Sequence, residues 1–129
     1  MLYSPDEASL RDRWFVCGLL NSMDLPDDLL DEAFAIYEEF GPNRLIARRE
    51  RLQSVFRQLS PAEIESLVGR MEAVSRTIWR LAEQGGEIRL GEARVRAALQ
   101  EQHPFLKSRG LEKSVFLVNY LAWHEGFDT

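Results

Sequence analysis

The chain is poor in the residues on which most catalytic and metal-binding sites are built. Its 129 residues include one cysteine, Cys17, and two histidines, His103 and His124. A lone thiol closes no internal disulfide and suits a reducing compartment. Cys17 sits within Trp14-Phe15-Val16-Cys17-Gly18-Leu19-Leu20, where it reads as a small buried hydrophobe and not as a nucleophile. The paired Glu-x-x-His motifs of a di-iron bundle, the His-Glu-x-x-His motif and cysteine clusters are all missing, so no metal site is expected. His124 with Glu125 and Asp128 could offer only a weak surface cluster, and a histidine there also complements the negative end of a helix. Ser114 has no histidine within a turn, and neither Gly-x-Ser-x-Gly nor a glycine-rich phosphate loop occurs. The chain therefore reads as non-enzymatic and without a cofactor.

Long apolar runs are missing too. None reaches the roughly 20 residues that a membrane helix needs. The opening Met-Leu-Tyr-Ser-Pro-Asp-Glu-Ala has no basic residue ahead of an apolar segment, unlike a secretory signal. A cytoplasmic domain with no membrane contact is the expectation. Lysine is scarce, limited to Lys107 and Lys113, and the net charge is −5; both count against nucleic acid as a partner.

The acidity is uneven. Residues 1–40 hold ten acids against two arginines, a balance of −8, whereas residues 41–129 hold fourteen basic against eleven acidic, a balance of +3. Two readings follow. Either the two parts attract one another within one fold, or the acidic part faces a basic protein partner.

Punctuation by proline and glycine divides the chain into helices. Ser4-Pro5-Asp6-Glu7 starts the first, which runs to about Ser22. Pro26 opens the second, which Gly41-Pro42 ends, with Leu29, Ala33, Ile36 and Phe40 on an apolar stripe beside Tyr37. Asp28, Asp31, Glu38 and Glu39 are expected on its solvent side. A third helix spans Pro42 to about Leu59, antiparallel to the second, with Leu45, Leu52, Phe56 and Leu59 inward and Arg44, Arg48 and Arg51 in a row on the flank. Ser60-Pro61-Ala62-Glu63 starts a fourth, extending to about Gln84 before Gly85-Gly86. Its inward positions are Ile64, Leu67, Val68, Met71, Val74, Ile78, Leu81 and Ala82, with Trp79 at the stripe's edge. Glu87-Ile88-Arg89-Leu90 alternates polar and apolar and suits a short extended stretch. A weaker helix follows over Glu92–Gln102, resting on Val95 and Leu99. A loop between Pro104 and Gly110 carries Phe105 and Leu106.

The chain then reaches Leu111–Trp123, where from Val115 onward only Asn119 interrupts an apolar run. The run reads as a buried central helix. Val115, Phe116, Val118 and Tyr120 would also suit a strand, but no other segment offers a strand partner. Gly126 to Thr129 is read as a tail.

The expected architecture is all-α, a single-domain bundle over residues 1–129 of about five helices around a buried apolar C-terminal helix. The expected function is that of a protein-binding regulator, inhibitor or adaptor acting through charged helix faces. Arg44, Arg48, Arg51 and Trp79 are its candidate binding residues, because arginine and tryptophan dominate interface hot spots. A homodimer sharing the apolar helix is a further possibility. Two alternatives stand beside this: a nucleic-acid-associated regulator using the arginine stripe, and an enzyme or small-ligand carrier with an aromatic-lined pocket.

Overall fold

The computed structural model describes residues 25–38 and 47–129. The first expected helix, with Trp14 and Cys17, lies outside them, as do Arg44 and the Gly41-Pro42 link. Six helices and no strand occur among the described residues: α1 (Asp27–Tyr37), α2 (Arg48–Val55), α3 (Pro61–Glu83), α4 (Gly86–Leu90), α5 (Glu92–Gln102) and α6 (Arg109–His124).

The longest helix is also the best written. The Glu63 N–H donates to Ser60 Oγ at 3.2 Å, and the Ser60 N–H donates to Glu63 Oε1 at 2.8 Å. This reciprocal capping box, with Pro61 at the first helical position, fixes where α3 begins. All eight expected inward side chains of α3 are buried. Their three-and-four spacing gives α3 one wide apolar face, and α1, α2, α5 and α6 pack around it.

Helix α6 is the hub, packing against α1, α3, α4 and α5. The helical reading of this stretch holds, but burial on all sides does not. Leu111, Ser114, Val115, Leu117, Val118 and Ala122 face inward, while Phe116, Tyr120 and Trp123 face outward. The inward set is mostly small or aliphatic and meets its neighbours closely. The outward set is aromatic, with a polar tip on Tyr120 and Trp123 that water can serve. The helix ends in a Schellman turn: the Phe127 N–H donates to Ala122 O at 2.8 Å and the Gly126 N–H to Trp123 O at 3.1 Å. Gly126 takes the left-handed conformation this turn requires, at φ 76°.

Helix α1 also departs from expectation. Leu30 and Phe34 are buried as well as Leu29 and Ala33, and Asp31, expected in solvent, is buried with them. The reason is tertiary. Asp31 Oδ1 accepts the Lys107 N–H at 2.6 Å and the Gly110 N–H at 3.0 Å. It thereby caps α6 from another helix, where Ser108 makes no side-chain cap.

The stretch expected to be extended, Glu87 to Leu90, is a single helical turn. Its two apolar residues do not share a face, since Ile88 is exposed while Leu90 packs against the core. The turn is held instead by Asn119, the one polar residue in the apolar run. Asn119 Oδ1 accepts the Glu87 N–H at 3.0 Å, and its amide donates to Glu87 Oε1 at 2.8 Å.

His103, after α5, is buried, with Nε2 2.8 Å from Thr77 Oγ1 on α3. Gln102 Oε1 lies 3.2 Å from the same hydroxyl and accepts Arg80 Nη2 at 2.6 Å. Burial, with Arg80 and Arg76 adding repulsion, lowers the imidazole below its ordinary 6.5. As pH falls through 6.5 the unfolded chain takes up this proton before the folded one does. Stability is therefore expected to fall on acidification from pH 7 and to level off below the folded value, with a slope of at most about 1.4 kcal/mol per pH unit. Thermal melts between pH 7.5 and 5.5 should show a steeper loss in the wild type than in His103→Gln. Equal slopes would remove His103 as the cause.

Candidate functional site

Where α3 and α6 run side by side, their outer surfaces leave an open groove of about 300 Å³. Ile78 of α3 with Leu117 and Leu121 of α6 form its apolar floor, and Trp79 and Tyr120 stand as its walls. One end is polar, with Glu38, Arg48 and Ser75 at the rim. Arg48 Nη2 lies 3.3 Å from Glu38 Oε2, and Ser75 Oγ donates to Glu38 Oε1 at 3.3 Å. Arg48 also sits over the Tyr37 ring, 5.2 Å from its centroid. Burial raises the Tyr37 hydroxyl above its ordinary 10, with Arg48 opposing, so this end carries a neutral phenol beneath an ion pair.

Trp79 stands in this groove as an edge residue of the α3 stripe. One edge of its indole is met by Phe127, with ring centroids 6.0 Å apart at 89°. The Schellman turn at Gly126 is what brings Phe127 back to it. The tail is thus part of the site's framework.

From Tyr120 an aromatic row continues along the outside of α6. Phe116 stacks on Tyr120 at 6.2 Å, His124 on its other side at 5.5 Å, and Trp123 lies 6.1 Å away. Exposures are 41% for Trp79, 40% for Tyr120, 52% for Phe116 and 66% for Trp123. Three large aromatics on consecutive turns of one helix, continuous with a groove, make a patch of the kind that marks interaction sites.

The structure divides the four sequence-derived candidates. Arg48 and Trp79 converge on the groove. Arg51, expected on a flank, is buried, and Arg44 lies outside the described residues. Arg49 is paired with Glu65. Of the expected row Arg44, Arg48 and Arg51, the described residues keep Arg48 at the surface, paired with Glu38, and bury Arg51.

Four of the five described acids between Asp27 and Glu38 meet donors. Asp28 lies 3.4 Å from Lys107 and Glu32 3.4 Å from Arg109, while Asp31 holds the start of α6 and Glu38 holds Arg48. Each basic partner belongs to residues 41–129, so these acids are met within the fold. Elsewhere Arg96 lies 2.7 Å from Glu112 and 3.1 Å from Glu92, and its hydrogen bond holds the Glu112 carboxyl below its ordinary range.

Reading the chain by composition alone passes over Phe116, Tyr120 and Trp123, because they merge into the apolar run. The available signal was their spacing of four and three together with their chemistry: the aromatics share one side, and the aliphatic and small residues share the other.

Among the described residues no group of three or more His, Cys, Asp or Glu side chains is placed to hold a metal ion. No described helix is long and apolar enough to cross a membrane. The fold and site define an all-α domain with an aromatic-walled surface groove. Comparison with protein-family models, curated proteins and solved structures gives no match for the chain.

Proposed function

We propose that the protein is a non-enzymatic, cytoplasmic binding module that regulates, inhibits or tethers another protein. Its contact surface is the aromatic face of α6 with the Trp79 groove. One observation carries this reading: Phe116, Tyr120, Trp123 and Trp79 stand exposed and adjacent, while Asp28 and Glu32 of α1 are ion-paired within the chain. Tryptophan and tyrosine supply most hot-spot energy because they remove a large area from water at little cost in side-chain entropy. Exposed ion pairs contribute about 1 kcal/mol or less each, so the aromatic face outweighs the charged faces as a source of affinity.

The groove also suits a side chain better than a free ligand. At about 300 Å³ it stands at the small end of ligand pockets. It is open along one side, and its polar groups already satisfy one another. An apolar anchor projecting from a partner helix fits that shape.

The test compares proteins retained from a cell extract by the immobilised wild type, by Trp123→Ala and by Arg49→Ala. Trp123 is two-thirds exposed, so its truncation is expected to leave the melting temperature within about 2 °C of wild type. A protein kept by the wild type and Arg49→Ala but lost by Trp123→Ala supports the aromatic surface. Loss with Arg49→Ala and retention by Trp123→Ala would move the function to the arginines.

A further inference from the structure

We infer that the chain's own Trp14–Leu20 segment, which lies outside the described residues, docks on the aromatic face of α6 and competes there with the partner. The inference rests on the binding surface proposed above and names what regulates it. Trp14-Phe15-Val16-Cys17-Gly18-Leu19-Leu20 holds no charged residue. A run of that kind is driven out of water onto any apolar surface it can reach.

The point at which the chain enters α1 puts the aromatic face within that reach. Asp28 lies 3.4 Å from Lys107 and Glu32 3.4 Å from Arg109, so α1 begins beside the start of α6. Arg109, Lys113, Phe116 and Tyr120 follow at spacings of four, three and four, which places them on one side of α6. The ion pair from Glu32 to Arg109 therefore holds the first half of α1 at the near end of the aromatic row. Only Asn21 to Asp24 separate Leu20 from Leu25. Fully extended, that link lets Leu20 lie up to about 17 Å from Leu25. Phe116 is about 10 Å along α6 from Arg109. As part of the helix expected from Ser4-Pro5-Asp6-Glu7, the seven residues would span about 10 Å, which is also the length of the row from Phe116 to Trp123.

The described residues offer the segment no comparable surface elsewhere. Six large hydrophobic side chains are exposed among them, and four, Trp79, Phe116, Tyr120 and Trp123, belong to this face. The other two, Val55 and Ile88, sit singly on α2 and α4. A tether this short gives the segment an effective concentration of the order of millimolar, so it can hold the face with modest intrinsic affinity. A partner then binds only the undocked fraction, and its apparent affinity is reduced by that fraction.

Cys17 is the one thiol of the chain and lies at the centre of the segment, so its rate of reaction with dithiobis(nitrobenzoate) reads docking in the whole protein. The native wild type is expected to react at least about tenfold more slowly than the chain in denaturant. The rate should not change on about hundredfold dilution, because the tether fixes the local concentration. Phe116→Ala and Tyr120→Ala together are expected to raise it about tenfold, each alone by less, and Ile88→Ala should leave it unchanged. Thermal melts run alongside separate release of the segment from loss of the fold. Three results overturn the docking. A native rate equal to the denatured one leaves the segment uncovered. Protection that fades on dilution makes the cover a second copy, and protection that survives loss of both rings places the segment elsewhere. These rates involve no partner, so their failure leaves the binding surface standing with another occupant. A thiol that Phe116 and Tyr120 protect, in a protein from whose captured set Trp123→Ala loses nothing, keeps the docking and removes the partner.

Discussion

Gly110→Ala is expected to lower stability by about 3 kcal/mol, whereas Gly69→Ala is expected to raise it by nearly 1 kcal/mol, although both glycines lie inside helices. Intrinsic propensity favours alanine at both positions, since glycine loses more backbone freedom on folding. Surroundings set the sign. Nothing lies within 4 Å of a Cβ added at Gly69, on the exposed side of α3. A Cβ at Gly110 would fall 2.6 Å from Asp31 Oδ1, 2.7 Å from the Asp31 backbone O and 3.0 Å from Leu106 Cδ2. The carbonyl belongs to α1 and can move only if that helix moves, which would stretch the hydrogen bonds that hold α6 to it. Thermal melts of the two variants should shift by roughly −10 °C and +3 °C. A Gly110→Ala protein melting at or above wild type would mean that α1 and α6 do not cross closely at Gly110.

Asp31→Ala is expected to cost a similar amount by a different route. Removing the carboxylate leaves the N–H groups of Lys107 and Gly110 without their acceptor, one of them in a buried contact, and each unsatisfied donor costs about 1–3 kcal/mol. It also removes a negative charge from the positive end of α6. Asp31→Asn keeps an acceptor oxygen in place and is expected to lose only about 1 kcal/mol. Denaturant unfolding of the pair separates the acceptor from the charge. Equal losses in both variants would assign the effect to charge alone, and a loss under about 0.5 kcal/mol in Asp31→Ala would place the cap outside the stabilising contacts. Either variant that loosens α6 is also expected to disturb the Trp79 groove, because α6 supplies one wall and most of the floor.

These two sites show why parts of the chain were easier to read than others. Helix α3 was legible almost residue by residue. Its start is a local reciprocal cap, its stop is the Gly85-Gly86 pair, and its stripe repeats over 23 residues with polar residues between. Each signal lies within a few positions of the structure it specifies. The segment from Glu87 to Leu90 was misread because four alternating residues carry little information. Its conformation follows from left-handed Gly85, Gly86 and Gly91 and from Asn119, which is 32 residues away. Asp31 was placed in solvent because an acid beside an apolar stripe normally belongs there. The donors that draw it inward are 76 and 79 positions further on.

The candidate site was half legible for the same reason. Trp79 could be singled out because α3 has a clear stripe for it to stand beside. The C-terminal run announced a helix by its length, its apolar content and the lack of any strand partner. Being apolar on nearly every side, however, it held only a weak local preference for one rotation, the separation of its aromatic from its aliphatic and small side chains. That choice is made by contacts from distant segments: Asp31 grips the start of α6, the Asp31 carbonyl crowds Gly110, and Asn119 turns towards Glu87. Together they point Leu111, Val115, Val118 and Ala122 at the core and leave Phe116, Tyr120 and Trp123 on the surface. Local periodicity and capping were enough to specify the all-helical class and, for α3, the helix and its buried face. The outward aromatic face exists because long-range packing selected one rotation of a helix that could have buried any of several sides.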